Sequence, residues 1–312
     1  MADARPLTLG EIGKLDAELD ALAGPGHPAS GLEPGTVSGN EVAVAGFDGY
    51  LFIGNGANLW ERQYLGELSI PDGWAATWRA MFQARQAEAA RRGLVLSNLI
   101  VPEKQALYAK RRWTQGVDAS RRPVNVLLTH LTPAERVLYP LLLLREAAAL
   151  GPTYHRHNSH WTPSGCVAVA IALARGWGVA ADLEALRFSC ARRRVVQDLT
   201  PHFFDPAPDE ESSVLELSGQ IFFDNEHYQT TGQHRGWSYG VRNGQAPDPR
   251  RLVIFGDSYS QHSGLLAALS AVFAQVVFVW SKSIDWTVAE THGADIVLWQ
   301  CAERFMARPP ES

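Results

Sequence analysis

Short apolar runs alternate with helix-like segments near the C-terminal end of this chain. The runs at residues 252–255, 276–280 and 296–299 each have the length of a buried strand. A helix-like segment follows each run, and the first one begins around Gln261 and ends about Phe273. This alternation predicts a parallel sheet covered by helices on both faces. The predicted fold class is therefore α/β with three layers.

The earlier part of the chain predicts further elements of both kinds. Apolar residues at helical spacing in residues 7–22 predict a short amphipathic helix. Further predictions are helices at 74–92, 134–150 and 164–176, and strands at 94–101 and 124–129. Residues 199–250 are rich in aspartate, glycine and aromatic residues, which indicates hairpins or a long, irregular and β-rich excursion before the strand at 252–255.

A glycine- and proline-rich stretch at residues 24–35 separates the first predicted helix from the rest of the chain. Such composition is typical of a flexible tether. The expected organisation is an N-terminal helix and tether in residues 1–35 and one globular domain in residues 36–312.

Composition excludes some classes of protein. Of 312 residues, 46% are hydrophobic and 20% are charged, so a sizeable core can form. The net charge of -5 argues against a nucleic-acid binder, because phosphate contacts require a basic surface. Three scattered cysteines indicate neither a disulfide framework nor a zinc site, and they favour a reducing compartment. No signal peptide and no membrane span is predicted, so the expected location is cytoplasmic.

A serine follows the strand predicted at 252–255, within Gly256-Asp257-Ser258-Tyr259-Ser260. Ligands of α/β proteins bind beyond the carboxyl ends of the strands, where a serine hydroxyl becomes a nucleophile if a base removes its proton. Backbone N–H groups and the start of the next helix could stabilise an oxyanion there. Gly256 permits a sharp turn, and Asp257 can cap the turn or the helix. The alternative is that Asp257 and Ser258 only cap a helix.

Three histidines, His155, His157 and His160, have the spacing H-x-H-x-x-H. One of them can be the base for Ser258, with the residue two positions before it orienting the ring. The three can instead bind a metal ion, as in the similar H-x-H-x-D-H motif of metallo-β-lactamase-like hydrolases, although Ser159 replaces its aspartate. They can also be packing residues, which is the favoured interpretation for His155 and His157. His160 precedes a predicted helix and is the favoured base, and no metal is expected.

Five short motifs follow one another along the chain. They are Gly46-Phe47-Asp48-Gly49-Tyr50-Leu51-Phe52, Val101-Pro102-Glu103-Lys104 with Tyr108, Asn158-Ser159-His160-Trp161, Gly256 to Ser260, and Glu303-Arg304 after the last predicted strand. In these motifs and their order the chain resembles the alginate O-acetyltransferase family of the AlgX/AlgJ type. The resemblance implies a permuted SGNH-hydrolase-like catalytic domain in residues 36–312.

The resemblance also implies a two-step acyl transfer. Ser258 would attack an acetyl donor with His160 as general base, and a carbohydrate or small polyol hydroxyl would then take the acetyl group from the serine. Trp161 would wall the site and could stack on a sugar. The expected substrate-binding residues are Trp161, Tyr259, Gly256 and Asp257. No cofactor and no nucleic-acid partner is expected.

One position departs from the family pattern, because Asn158 stands where the family has aspartate. Asparagine can orient His160 but cannot compensate the charge of its imidazolium. Either a nearby acid substitutes, with Asp257 and Asp285 as candidates, or the chain is a slow enzyme or a non-catalytic carbohydrate-binding relative. An SGNH-type esterase is the other alternative, since water can also resolve an acyl-enzyme.

Two further expectations concern the surroundings of the serine. The Ser258 backbone N–H is a reasonable oxyanion donor, and Asn55 and Asn58 are weaker candidates from a glycine-containing loop. The family relatives work outside the cytoplasm, whereas this chain is expected inside it, so its acceptor would be a cytoplasmic sugar precursor or another small molecule.

Overall fold

The computed structural model describes residues 4–24, 26–112, 117–261 and 264–309. Within these residues the helices are, in chain order, α1 (Leu9–Ala23), α2 (Trp60–Leu65), α3 (Trp74–Arg91), α4 (Lys104–Leu107), α5 (Pro123–Thr129), α6 (Leu141–Ala147), α7 (Pro163–Gly176), α8 (His227–Thr231), α9 (Leu265–Ser270) and α10 (Trp286–Thr291). The strands are β1 (Arg5–Leu7), β2 (Ala43–Ala45), β3 (Leu51–Ile53), β4 (Val95–Val101), β5 (Val137–Leu138), β6 (Phe188–Val195), β7 (Glu210–Leu215), β8 (Gln220–Asp224), β9 (Ser238–Arg242), β10 (Asp248–Gly256), β11 (Phe273–Trp280) and β12 (Ile296–Ala302).

The central sheet has seven strands in the order β5-β4-β12-β10-β11-β9-β8. The strands from β5 to β11 are mutually parallel. The β8–β9 hairpin lies within residues 199–250 and adds an antiparallel edge next to β11. The prediction of an α/β fold with a mostly parallel sheet is therefore confirmed.

Successive residues of β10 point to opposite faces of the sheet and enter two different cores. Leu252 and Ile254 pack in the core that α1, α7 and α9 cover. Val253 and Phe255 pack in the core that α3, α5 and α10 cover. Helices therefore cover both faces of the sheet, which gives the three expected layers.

The N-terminal helix shares the first of these cores with the rest of the chain. Ile12, Leu15 and Leu19 of α1 are buried against it, and β1 pairs with β6 outside the central sheet. In the stretch expected to be a tether, Pro28–Gly31 forms a short 3-10 helix whose Ala29 is buried. Helix α1 thus packs in one core with residues beyond position 36, the boundary expected between the tether and the domain.

The prediction of a strand at 124–129 is wrong, because these residues lie in α5. Pro123 occupies the first turn of the helix, where its missing N–H leaves no bond unmade. Val124 and Leu127 are three residues apart on one helix face and are buried in the second core. A short apolar run fits a buried strand and a buried helix turn equally well, so the pattern alone favoured the wrong element.

The single helix predicted at 134–150 is also wrong. The segment contains a 3-10 helix at Pro133–Glu135, then β5 and then α6. Arg136 has a left-handed φ of 48°, and Pro140 stands directly before α6. Proline has no N–H to donate to a preceding helical turn, so no helix from the residues before Pro140 can continue through it, and α6 begins directly after it.

No helix among the described residues has both the length and the apolarity to cross a bilayer. The cysteines, Cys166, Cys190 and Cys301, are free and buried.

Candidate active site

Ser258 and His160 meet just beyond the carboxyl end of β10. The His160 Nε2 atom lies 2.7 Å from the Ser258 Oγ atom. His160 is positioned by the start of α7, where the Thr162 hydroxyl accepts the Gly165 N–H and caps the helix. A serine hydroxyl that donates to Nε2 requires a neutral ring with its proton on Nδ1. This is the arrangement of a nucleophile and its general base.

Asn158 orients the ring from the other side. Its Oδ1 lies 2.8 Å from His160 Nδ1 and also accepts the His160 backbone N–H at 2.9 Å. Its Nδ2 donates to Gln197 Oε1 at 2.7 Å, so the oxygen of the amide is the atom that faces the ring. An acceptor at this place holds the histidine proton on Nδ1. This contact agrees with the hypothesis that the residue two positions before the histidine orients its ring.

Asp198, which the sequence analysis missed, also reaches His160. Its Oδ2 lies 3.2 Å from His160 Nδ1. The carboxylate accepts the Ser159 backbone N–H at 2.7 Å and the Ser159 hydroxyl at 2.5 Å. Partial desolvation raises the pKa of Asp198, but its hydrogen bond and charge interaction with His160 and its bonds to Ser159 outweigh that effect and hold the pKa at about 2. The side chain is 38% exposed and ionised at neutral pH.

The two acids expected to substitute for the family aspartate have other partners. Asp257 is buried and accepts the N–H groups of Tyr259 at 3.1 Å and Ala302 at 2.7 Å, so it caps the turn and ties it to β12. Asp285 caps α10 by accepting the Thr287 N–H at 2.9 Å. Both are structural caps in this fold.

Gly256 is required because another side chain approaches its Cα closely, and not because its φ is left-handed. A Cβ atom there would lie 2.6 Å from Gln300 Oε1. That oxygen accepts the Asp257 N–H at 3.0 Å and the Ser260 hydroxyl at 2.8 Å. Gln300 thus fixes the turn that carries the serine, and a glycine before the turn leaves room for it.

The helix after the nucleophile is shorter and later than expected. It is α9, which begins at Leu265, while β11 already begins at Phe273. His262 and Ser263 lie outside the described residues. The first N–H groups of α9 already have acceptors in the serine turn, because those of Leu265 and Leu266 donate to the Tyr259 and Ser260 carbonyls at 3.2 and 3.0 Å. The expected oxyanion donor is therefore the Ser258 N–H of the turn.

Trp161 and Tyr259 lie behind His160. Trp161 is only 5% exposed and Tyr259 is fully buried. Their rings pack edge to face with centroids 5.1 Å apart, and the Tyr259 ring lies 4.7 Å from the His160 ring. The Tyr259 hydroxyl donates to the Ser159 carbonyl at 2.9 Å. These contacts favour a supporting role for both rings over sugar stacking, because neither ring has an open face.

The three histidines of the H-x-H-x-x-H segment do not converge on one point. His155 Nδ1 lies 3.4 Å from the Ser212 hydroxyl, and His157 Nδ1 lies 2.6 Å from Glu210 Oε2. Only His160 faces Ser258. The interpretation of His155 and His157 as packing residues agrees with these contacts.

Among the described residues, one different trio has spacing that could hold a metal ion, namely His27, His157 and Glu210. Its donor chemistry fits a metal poorly. His27 Nδ1 accepts the Ala29 N–H at 3.2 Å, so the proton of the neutral ring sits on Nε2, the nitrogen that faces Glu210. A metal-bound histidine normally keeps its proton on the nitrogen that does not bind.

Lys104 holds the segment that leads to the histidine. Its Nζ donates to the carbonyls of His155, Arg156 and Asn158 at 3.0, 2.9 and 2.8 Å. Burial lowers the pKa of Lys104 to about 7. Lys104 is only 1% exposed, so the three carbonyls accept the hydrogen bonds that water would otherwise accept from its amino group.

Buried ion pairs connect the second and last of the five motifs. Arg304 Nη1 donates to Glu103 Oε1 at 2.6 Å. Glu303 pairs with Arg122, accepts the Tyr139 hydroxyl at 2.9 Å, and accepts the Glu103 N–H at 3.2 Å. Glu103 of the second motif and Glu303 and Arg304 of the last therefore belong to one buried polar network.

A cleft of about 790 Å³ opens at the same end of the sheet. It is lined by the segment after β11, whose Ser281 N–H donates to the Gly256 carbonyl at 3.1 Å, and by the segment after β12. This volume is in the range of ligand sites. The lining includes Trp280 and the cations Arg235, Lys282, Arg304 and Arg308. Asn58 also lines it, whereas the Asn55 side chain accepts the Arg62 N–H at 3.2 Å.

No protein-family model matches the chain, and no curated protein matches it. Solved structures do share its fold. A DHHW family protein from Eubacterium siraeum has a TM-score of 0.59 and 16% identity, over 88% of this chain and 94% of that one. PatB1 of Bacillus cereus with a sulfonyl adduct has a TM-score of 0.56 and 8% identity, over 78% and 95%. The O-acetyltransferase domain of Pseudomonas putida AlgJ has a TM-score of 0.54 and 16% identity, over 86% and 94%.

Proposed function

We propose that this chain is a serine-dependent O-acetyltransferase that moves an acetyl group to a carbohydrate hydroxyl. The observation that carries the proposal is the 2.7 Å contact between Ser258 Oγ and His160 Nε2, with an acceptor on the opposite nitrogen of the ring. The similar fold of the AlgJ O-acetyltransferase domain supports the reaction class.

In the first step His160 Nε2 takes the Ser258 hydroxyl proton as Oγ attacks the carbonyl carbon of an acetyl ester. The tetrahedral intermediate places a negative charge on the former carbonyl oxygen, and the Ser258 N–H is the donor we propose for it. The intermediate then expels the leaving oxygen of the donor, which receives the proton from His160. The product of this step is acetyl-Ser258.

In the second step a carbohydrate hydroxyl gives its proton to His160 Nε2 and attacks the acetyl carbon. Collapse of the second intermediate breaks the bond to Ser258 Oγ, which takes the proton back. We place the acceptor in the cleft lined by Trp280, because Trp280 pairs with Gly256 at the end of β10 and the cleft is large enough for a sugar. Ser258 and His160 lie outside the lining of this cleft, so the acceptor would reach them from it. Neither step requires a cofactor.

An acetylesterase is the second candidate, and the exposure of His160 favours it. The His160 side chain remains 25% exposed, so water can approach the ring that would deprotonate a sugar hydroxyl. The two activities differ only in which hydroxyl resolves acetyl-Ser258. A carbohydrate-binding relative without turnover is the third candidate that the test must separate.

The test is intact-mass spectrometry of wild type and Ser258→Ala after incubation with p-nitrophenyl acetate, with and without a panel of carbohydrates. We expect an acetyl adduct on the wild type only, and acetylated carbohydrate when an acceptor is present. Adduct formation with release of acetate alone would favour the esterase. Equal behaviour of the two proteins would rule out Ser258 as the nucleophile and favour the binding protein.

A further inference from the structure

We infer that this site divides the work of one catalytic aspartate between two residues, with Asn158 orienting His160 and Asp198 supplying the negative charge. This inference rests on the proposed function only in taking Ser258 and His160 as the reacting pair. Asp198 acts through His160 and is therefore a positioning residue.

The distances assign the two tasks. The single Nδ1 proton of His160 has its shortest acceptor in Asn158 Oδ1 at 2.8 Å, which fixes the ring and its tautomer. An amide carries no net charge, so it cannot balance the imidazolium that forms when the serine gives up its proton. Asp198 Oδ2, at 3.2 Å from the same nitrogen, is close enough for its charge to act on the imidazolium.

Asp198 is held in place before any reaction begins. Both of its oxygens accept bonds from Ser159, and the next residue, Leu199, donates its N–H to the His157 carbonyl at 3.3 Å. Gln197, on the other side, accepts the Asn158 amide. The segment 197–199 is therefore fastened along the segment 157–159, so the carboxylate needs no rearrangement when the charge on His160 develops.

A second acid that interacts with His160, Glu103, is already paired with a cation. Glu103 interacts electrostatically with the imidazole, but its Oε1 is paired with Arg304. Lys104 and His155 also lie near His160, but neither side chain can supply a negative charge. Asp198 is consequently the acid whose geometry suits charge compensation.

The experiment measures the rate at which phenylmethylsulfonyl fluoride modifies Ser258, from acidic to alkaline pH, in five proteins. They are wild type, Asp198→Asn, Asn158→Asp/Asp198→Asn, the control Asp285→Asn, and Ser258→Ala. Asparagine caps a helix as well as aspartate does, so Asp285→Asn changes a charge without disturbing α10. Sulfonylation reports activation of the serine and needs no carbohydrate.

We expect Asp198→Asn to react about 10²-fold more slowly, with the acidic limb of its pH–rate profile moved to lower pH because the imidazolium has lost its anion. Asp285→Asn should react like the wild type. The double variant should recover most of the rate, since a carboxylate at position 158 would carry both tasks at once. Rescue would distinguish a lost charge from a misfolded loop.

Three results would overturn the inference. They are an unchanged rate in Asp198→Asn, a slower rate that neither shifts the acidic limb nor recovers in the double variant, and a wild type that is not sulfonylated at Ser258. If the first occurs while Ser258→Ala is inert, the proposed function stands without Asp198. If sulfonylation depends on Asp198 but no carbohydrate is ever acetylated, the inference stands and the transferase proposal fails.

Discussion

The Nζ atom of Lys104 lies 2.8 Å from the carbonyl oxygen of Asn158, the residue whose side chain orients His160. The same ammonium group donates to the carbonyls of His155 and Arg156. All three acceptors belong to the segment that leads to His160. Lys104 of the second motif thus fixes the backbone that carries His160.

Lys104→Met should destabilise the protein and slow acylation of Ser258. Methionine has a similar length but no donor, so three buried carbonyls lose their partner, and we expect the free energy of unfolding to fall by about 3 kcal/mol. A displaced loop should slow acylation about 10-fold or more. Urea unfolding and the rate of acetyl-adduct formation measure the two effects. Lys282→Met, at an exposed lysine over the Phe305 ring, is the control and should change stability by less than about 1 kcal/mol. Normal acylation in Lys104→Met would contradict this role.

Gly256→Ala should disturb the serine turn through Gln300. The new methyl group would overlap Gln300 Oε1, which fixes both Asp257 and Ser260. We expect a loss of about 1–3 kcal/mol in the free energy of unfolding, together with slower acylation. Gly244→Ala is the matched control, because an added Cβ there meets no atom within 4 Å. Similar behaviour of the two variants would show that the turn tolerates the methyl group.

Glu303→Gln should be far more harmful than Glu184→Gln. Glu303 pairs with Arg122 where both side chains are at most 6% exposed, so a neutral partner leaves a buried guanidinium without its counter-charge, at a cost of about 3 kcal/mol. Glu184 pairs with Arg175 where both are more than 60% exposed, and its loss should cost less than about 1 kcal/mol. Thermal and urea unfolding of the two variants provide the comparison. Equal costs would mean that the Arg122 charge finds another partner.

The stability of the protein should depend on His155 in the weakly acidic range. Burial lowers the pKa of His155 from 6.5 to about 4. Between these values the unfolded chain binds a proton that the folded protein does not, so this residue makes stability rise with pH and fall on acidification. In His155→Gln the slope of unfolding free energy against pH should become shallower by up to one proton across that window. Urea unfolding at a series of pH values tests this, and an unchanged slope would count against it.

The parallel strands were predictable because strands buried on both faces appear as uninterrupted apolar runs. Residues 252–255 of β10 and most of β4, β11 and β12 were found in this way. The failures at 124–129 and 134–150 each involve a proline. Pro123 begins α5 where the short apolar run predicted a strand, and Pro140 interrupts the segment predicted as one helix, so that β5 precedes it and α6 follows it.

The meeting of Ser258 and His160 was predictable from residue type and position, whereas that of Asp198 with them was not. Ser258 follows shortly after β10, which ends at Gly256, and His160 stands shortly before the start of α7. Asp198 lies 39 residues beyond its partner Ser159, in a segment without any motif. Only the fold brings the two segments side by side. The burial of Trp161 and Tyr259 likewise depends on how α7 and the serine turn pack together.

The packing of α1 on α7 has a practical consequence for shortened versions of this protein. Asp16 of α1 accepts the Ser164 N–H in the first turn of α7 at 2.9 Å, a few residues after His160. A protein trimmed at residue 36 would lose that anchor and leave the apolar side of α7 bare to water. Bare stripes of this kind lead to aggregation. If a trimmed protein is inactive and aggregates, the cause would be the loss of α1 from the face of α7. Such a result would not count against the proposed roles of Ser258 and His160.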